Sequence, residues 1–252
     1  MKGSYGYQDK LKQQAAFHNE MKNKKEKKES TDTRRHFFKK MIRLLAGIGL
    51  FFSPLSTAVQ RAWAKTKRIV LPKGTKMSKL VNSNPATLDT RNLEVIPLED
   101  FETMGLTDHQ VNLDQWRLEI TGAVQKPLKL TYAQLLKLPP IERNVLLICP
   151  GFFTNHGRWK GISIAQLLKL AEAEEGITHV SVRGPEGRYA KLEQFPITEI
   201  ISNQVFLAYQ VNGQELPRKH GFPLRTVAED HYGSEWVKFV HLIEAHKIES
   251  SQ

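Results

Sequence analysis

The run Asn144-Val145-Leu146-Leu147-Ile148-Cys149-Pro150-Gly151-Phe152-Phe153-Thr154-Asn155-His156-Gly157-Arg158-Trp159 decides how the rest of the chain is read. Its first five residues are almost wholly apolar and stop at a proline and a glycine, the mark of a strand central in a sheet. Cys149, the only cysteine in the chain, stands where that strand ends and a polar, glycine-containing loop over 150–159 is expected to begin. A thiol so placed can be presented to a cofactor or substrate. It can equally be a small buried hydrophobe, because free cysteine is among the most buried residue types. With one cysteine no intramolecular disulfide forms, and the cysteine count says nothing about compartment.

Outward from this strand the pattern alternates between short strands and short helices. Trp116-Arg117-Leu118-Glu119-Ile120 alternates apolar and polar and is ended by Gly122, as a half-buried strand should be. Thr131 predicts the cap of a short helix through Leu138, stopped by Pro139-Pro140. Ser163 caps a second helix, with Ile164, Leu167, Leu168 and Ala171 on one apolar face. Further strands are expected at 179–182, 189–192, 205–209 and 237–243, with Asn212-Gly213 as a two-residue hairpin turn. Residues 65–98, rich in proline, glycine and asparagine, read as an extended arm. The sum is an α+β domain built on mixed sheets, over residues 99–252, rather than a doubly wound parallel sheet.

The net charge of +11 raises nucleic-acid binding, but +9 of it falls in residues 1–64. The remainder is close to neutral and carries no basic stripe interleaved with aromatics, so nucleic acid is excluded as a partner. There is also no GxGxxG or GxxxxGK[ST] motif for a nucleotide. Residues 1–30 are lysine-rich and polar. They are followed by Thr33-Arg34-Arg35-His36-Phe37-Phe38-Lys39, an apolar run from Leu44 to Leu55, and Ala62-Trp63-Ala64. Basic region, short apolar region and small-x-small site form a signal-peptide layout. The apolar run is about a dozen residues, short of the roughly 20 that span a bilayer, so an uncleaved anchor is the lesser reading. The arginine pair resembles the twin-arginine export motif, which implies that residues 1–64 are a signal region directing a folded protein to the periplasm.

Six segments, in order, resemble the molybdopterin-binding domain of the sulfite oxidase family, most of all the bacterial single-domain branch that includes periplasmic methionine sulfoxide reductases. They are Asp100-Phe101-Glu102-Thr103-Met104-Gly105; Trp116 to Val124 followed by Lys126-Pro127-Leu128; Cys149 at its strand end; Trp159-Lys160-Gly161-Ile162; Gly221-Phe222-Pro223-Leu224-Arg225; and Tyr232-Gly233 with Trp236-Val237-Lys238. The resemblance implies a single-domain fold of that type, a molybdenum-molybdopterin cofactor, and Cys149 as both metal ligand and catalytic residue. A soft thiolate suits such a metal, and coordination keeps it deprotonated. It further implies that Arg225, Lys238 and the backbone at Trp236 and Val237 hold the pterin phosphate, with Glu102, Thr103, His220 and the backbone of Gly184 also touching the cofactor. An arginine fork and an ammonium are apt partners for a phosphate.

The chain departs from the family where sulfite oxidases carry an arginine just after the cysteine; here stands Pro150-Gly151-Phe152-Phe153. Nearby, only Arg143, Arg158, Lys160 and His156 offer positive charge for a sulfite. The expected activity is therefore two-electron oxygen-atom transfer on a small S- or N-oxide, with sulfite dehydrogenase-like activity or a non-catalytic cofactor-binding module as alternatives. Cys149 acting as a nucleophile with His156 or His220 as base is a further reading from the residues alone. No CxxCH haem site is present, so the electron partner is expected to be separate, a membrane haem protein or a soluble cytochrome.

Overall fold

The structure is a computed structural model and describes residues 68–247; the expected signal region lies outside the described residues. Strands β1 (Ile69–Val70) and β2 (Leu88–Asp89) pair in parallel within the arm. Next come β3 (Leu118–Gly122), β4 (Leu128–Leu130), helix α1 (Tyr132–Leu135), β5 (Pro140–Cys149), β6 (Phe153–Ile162), helix α2 (Ile164–Leu170) and β7 (Ile177–Arg183). The chain continues through β8 (Leu192–Pro196), helix α3 (Ile197–Ile201), β9 (Val205–Val211), β10 (Gln214–Glu215), β11 (Arg225–Ala228) and β12 (Leu242–Lys247). One sheet runs β10-β9-β6-β5, with β11 sharing the far edge of β9. The other runs β4-β3-β12-β7-β8 and is mixed, since β12 is parallel to β3 and antiparallel to β7. These are the mixed sheets with few helices that the sequence pattern calls for.

The local signals act as their chemistry dictates. Thr131 and Gln134 form a reciprocal capping box on α1, and Ser163 accepts from Gln166 N at the start of α2. Asn212-Gly213 turns β9 into β10, with both residues at positive φ. Val145, Leu147, Trp159, Ile162, Phe206, Leu118, Ile120, Val180, Val182 and Ile243 belong to one buried cluster drawn from both sheets. The opposite face of β5 is covered by the arm, where Leu71, Leu80, Leu88 and Leu93 pack on Leu146 and Ile148. So β5 is buried on both faces, which is why it shows no alternation.

Four expectations are corrected. The loop over 150–159 is only a tight turn, because Phe153–Ile162 pairs residue for residue with β5 as a hairpin; the glycine at 157 stands where the Phe101 ring leaves no room for a Cβ, not at a bend. The strand at 189–192 is displaced to Leu192–Pro196, after a 3-10 turn at Gly187–Tyr189. The strand at 237–243 begins only at Leu242; before it Phe239 takes φ 58° and the Phe239 and Val240 amides bond to Gly221 O and Leu224 O across a loop. The first helix stops at Leu135, not Leu138. The helix at Ile197–Ile201 had no forecast; it is too short for a periodic signal.

Candidate cofactor site

Cys149 shares a strand face with Val145 and Leu147, the face toward the main core, because side chains two apart point the same way. His156, three residues into β6, sits on the other face with Thr154. Its Nδ1 lies 3.0 Å from Glu94 O and Thr154 bonds Met77 O, both in the arm. His156 therefore serves the arm, and burial keeps its pKa down. A base for Cys149 on β6 would have to stand at an odd-numbered position, and none there is titratable.

The thiol opens into a cavity of about 390 Å³. Its wall includes Glu102, Thr103, Cys149, Arg225, Trp236 and Lys238, so six of the sequence-derived residues converge from four separate stretches of chain. Three others stand behind the wall. His220 is buried, and its carbonyl accepts from Arg225 Nη1 at 3.0 Å while its ring meets Phe101 edge-on. Val237 is core, with its carbonyl accepting from Thr226 N. Gly184 bonds Lys191 O through its own amide, and a Cβ there would lie 2.9 Å from Lys238 O, so glycine permits close packing behind the lysine.

Arg225 is the electrostatic centre of this site. Its side chain is 4% exposed, and its guanidinium lies 5.1 Å from the Trp159 ring and 5.2 Å from the Trp236 ring. Among the described residues no carboxylate pairs with it: Glu229 instead meets Arg68 and Arg143, and Asp230 meets Arg68. Burial lowers the Arg225 pKa to about 10. Lys238 donates to Thr103 Oγ1 (2.7 Å), Met104 O (2.9 Å) and Lys219 O (3.0 Å), all neutral acceptors. Burial, then the Arg225 charge, pulls its pKa to about 8. Burial pushes the Cys149 thiol up, opposed by the charges of Arg225 and Lys238. His220 is driven to about 3, by burial first and the Arg225 charge second, and is neutral.

A buried guanidinium beside a half-buried ammonium, with no anion between them, is costly, and proteins seldom leave such groups uncompensated. Arg225 Nε, Trp236 Nε1 and His220 Nε2 are also buried without a hydrogen-bond partner. Of these, Arg225 and Trp236 line the cavity, and a phosphate-bearing ligand there would satisfy them. Elsewhere among the described residues no three His, Cys, Asp or Glu side chains gather to hold a metal. A metal at Cys149 would thus need ligands brought by a cofactor, and a pterin dithiolene supplies them.

Several wall residues escape a sequence reading. Asn155 fixes Glu102 by a double contact, Oδ1 accepting Glu102 N (3.1 Å) and Nδ2 donating to Glu102 O (2.8 Å). Arg188 and Lys191 reach the wall from the segment before β8; Arg188 is held by Asp108 and Lys191 by Glu193. Gly233 approaches the thiol so closely that a Cβ there would stand 2.6 Å from Cys149 Sγ. Phe152, Met104 and Leu106 form an exposed apolar rim. Of the cations considered for sulfite, Arg143 bonds Asn203 O and Arg158 pairs with Glu142; neither lines the cavity.

Residues 105–252 match the oxidoreductase molybdopterin binding domain. The protein-methionine-sulfoxide reductase catalytic subunit MsrP of Gluconobacter oxydans is 33% identical over 143 residues, 51% of this chain and 46% of that protein. The nitrate reductase (NADH) of Volvox carteri is 30% identical over 164 residues, 53% of this chain and 19% of that protein. The chain thus spans under half the length of the first and about a fifth of the second. The sulfane dehydrogenase SoxCD of Paracoccus pantotrophus matches in structure with a TM-score of 0.52 at 24% identity, covering 56% of this chain and 41% of that one, a likeness of fold.

Proposed function

The chain belongs to the oxidoreductase molybdopterin-binding domain family, and from that premise we propose that it is an exported molybdenum-molybdopterin oxidoreductase transferring an oxygen atom to or from a small S- or N-oxide. The observation that carries the reading is the juxtaposition of a lone thiol with a buried arginine and a half-buried lysine that lack a carboxylate. Cys149 would ligate the metal. Arg225 and Lys238 would bind the pterin phosphate, with the Trp236 indole and the backbone at Trp236 and Val237 orienting it. Glu102 and Thr103, held by Asn155 and Lys238, would flank the cofactor. His220 would act through Arg225, whose guanidinium its carbonyl aims, and Gly184 through the packing of Lys238. The bound cofactor supplies two-electron redox chemistry.

The rest of the cavity favours a neutral substrate over a sulfite dianion. Arg188 and Lys191, the remaining cations on the wall, are engaged by Asp108 and Glu193, and Met104, Leu106, Phe152 and Phe239 supply apolar surface. Electrons would come from a separate membrane haem protein or soluble cytochrome. Residues 1–64 are proposed as a twin-arginine signal to the periplasm, 65–98 as an arm and 99–252 as the catalytic domain. Replacing Cys149 by Ala tests the core of the proposal. Folded mutant should keep pterin through Arg225 and Lys238 yet lose the thiolate-to-metal absorption and turnover with a dye donor. A wild-type spectrum and rate in that variant would refute it.

A further inference from the structure

The wall against the thiol is the segment Tyr232–Trp236, and its position is not set by sheet pairing. Lys191 Nζ donates to Ser234 O. Glu235 Oε2 accepts the Tyr232 amide at 2.9 Å. Trp236 anchors one end of the segment in the core against Trp159, and Tyr232 packs on the arm. At the other end His231 has Nδ1 2.9 Å from Glu235 Oε1 and Nε2 2.8 Å from Glu199 Oε2. Carboxylate oxygens only accept, so a ring facing one at each nitrogen donates from both and is an imidazolium. The hydrogen bond to Glu199, against the cost of burial, raises the His231 pKa to about 9, and Glu235 adds to it.

The charges around this bridge are occupied elsewhere. Asp230 pairs with Arg68 and also accepts from Gln204, Glu229 meets Arg68 and Arg143, and Glu193 meets Lys191. The Phe195 ring packs edge-on against the imidazole at 5.3 Å. Glu199 belongs to α3, which packs on β7, β8 and β9, whereas Glu235 belongs to the wall itself. None of His231, Glu199 and Glu235 lines the cavity. The bridge thus ties the wall to the body of the domain from behind, and what the wall touches in front is Cys149 Sγ.

We propose that His231 is a positioning residue: bridging Glu199 of α3 and Glu235 of the wall, it holds Gly233 against Cys149 and so sets how open the thiol is to the cavity. Its functional meaning rests on reading Cys149 as the metal ligand; the geometry and the test do not. Because Cys149 is the only cysteine, alkylation of cofactor-free full-length protein by iodoacetamide reads the wall directly. At pH 7, His231→Gln and Glu199→Ala should each be alkylated on the order of tenfold faster than wild type, the factor that corresponds to ~1.4 kcal/mol of opening free energy. Glu199→Gln, which keeps a neutral acceptor, should restore part of the protection. The ratio of variant to wild-type rate cancels the thiol's own ionisation; it should fall toward one above about pH 9, as the wild-type bridge loses its proton.

Rates within twofold of wild type in folded His231→Gln and Glu199→Ala overturn the proposal. If His231→Gln does not fold, Glu199→Ala decides alone by the same criterion. A ratio that does not change with pH overturns it as well, because it would mark a purely structural loss. Molybdenum content of the same preparations, after loading, tests the metal reading separately.

Discussion

Replacing Arg225 by Met separates a residue kept for folding from one kept for an anion. In the cofactor-free protein the buried guanidinium carries a penalty: lowering its pKa from 12.5 to about 10 corresponds to ~3 kcal/mol against folding at neutral pH. The sign follows from linkage. A base whose folded pKa is depressed destabilises the fold wherever it is protonated in both states, here everywhere below about pH 10. Against this stand two cation-π contacts of roughly 1 to 2 kcal/mol each and one charge-assisted hydrogen bond of roughly 1.5 to 3 kcal/mol, to His220 O. Methionine keeps much of the volume and packs well against indole rings, though it leaves the His220 carbonyl without its donor. The contacts exceed the penalty by roughly 0.5 to 4 kcal/mol. Sulfur–aromatic contacts of the methionine, roughly 0.3 to 1.5 kcal/mol each, recover part of that excess, so Arg225→Met should change cofactor-free stability by no more than ~2 kcal/mol. Anion binding should not cancel. Inorganic phosphate at about a hundred times its Kd would stabilise wild type by ~2.7 kcal/mol, a rise in Tm of several degrees, and the variant should lose most of that rise. Thermal unfolding of both proteins with and without phosphate measures it. Equal phosphate-dependent shifts, or a cofactor-free variant destabilised by far more than ~2 kcal/mol, would refute the assignment of Arg225 to an anion.

The other predictions concern the wall against the thiol, the lysine of the cavity and the histidine behind the wall. Gly233→Ala places a Cβ 2.6 Å from Cys149 Sγ and 3.0 Å from Leu147 Cδ2, so it should cost roughly 1 to 3 kcal/mol in overpacking and lower molybdenum occupancy after loading, measured by denaturant unfolding and metal analysis. Lys238 has a folded pKa of about 8, below its ordinary 10.5, so its burial penalty is present below pH 8 and fades between 8 and 10.5. Sulfate, a dianion throughout that range, should therefore bind more weakly as pH rises through about 8, and Lys238→Met should abolish that dependence in a titration series. His231 has the opposite sign. Its folded pKa of about 9 exceeds the ordinary 6.5, so its contribution is whole below about pH 6.5 and gone above about 9; unfolding of wild type should lose up to ~3 kcal/mol across that window relative to His231→Gln.

The parts of this site that were legible in the sequence are those whose chemistry is intrinsic to the residue. A single thiol after an apolar strand, an arginine and a lysine flanking an aromatic are unusual wherever they lie, and family resemblance assigned them roles. Residues whose part depends on a distant neighbour carry no such mark. Asn155 matters because Glu102, 53 positions away, lies alongside β6. Gly233 matters because β5 ends beneath it. Likewise the 150–159 run read as a loop because threonine, histidine and glycine there are needed by the arm and by the Phe101 ring, contacts made by residues some 55 to 80 positions earlier. The strand starting at Leu242 was misplaced because the Phe239 and Val240 amides bond to Gly221 O and Leu224 O in a loop rather than to a ladder.

The same parity that hid the β6 residues separates the two tasks of the hairpin. Odd positions, Val145, Leu147 and Cys149 on β5 with Phe153, Asn155 and Trp159 on β6, build the core and the cavity; even positions, Leu146 and Ile148 with Thr154 and His156, receive the arm. A one-residue slip of β5 against β6 would exchange the faces and turn Cys149 away from Arg225. What opposes the slip is therefore part of the site. Trp159 Nε1 donates to Val145 O within the hairpin, and its indole is also a face on which the Arg225 guanidinium rests. The arm locks the other side through Thr154 to Met77 O and His156 to Glu94 O, so the thiol's orientation depends on residues that never touch the cavity.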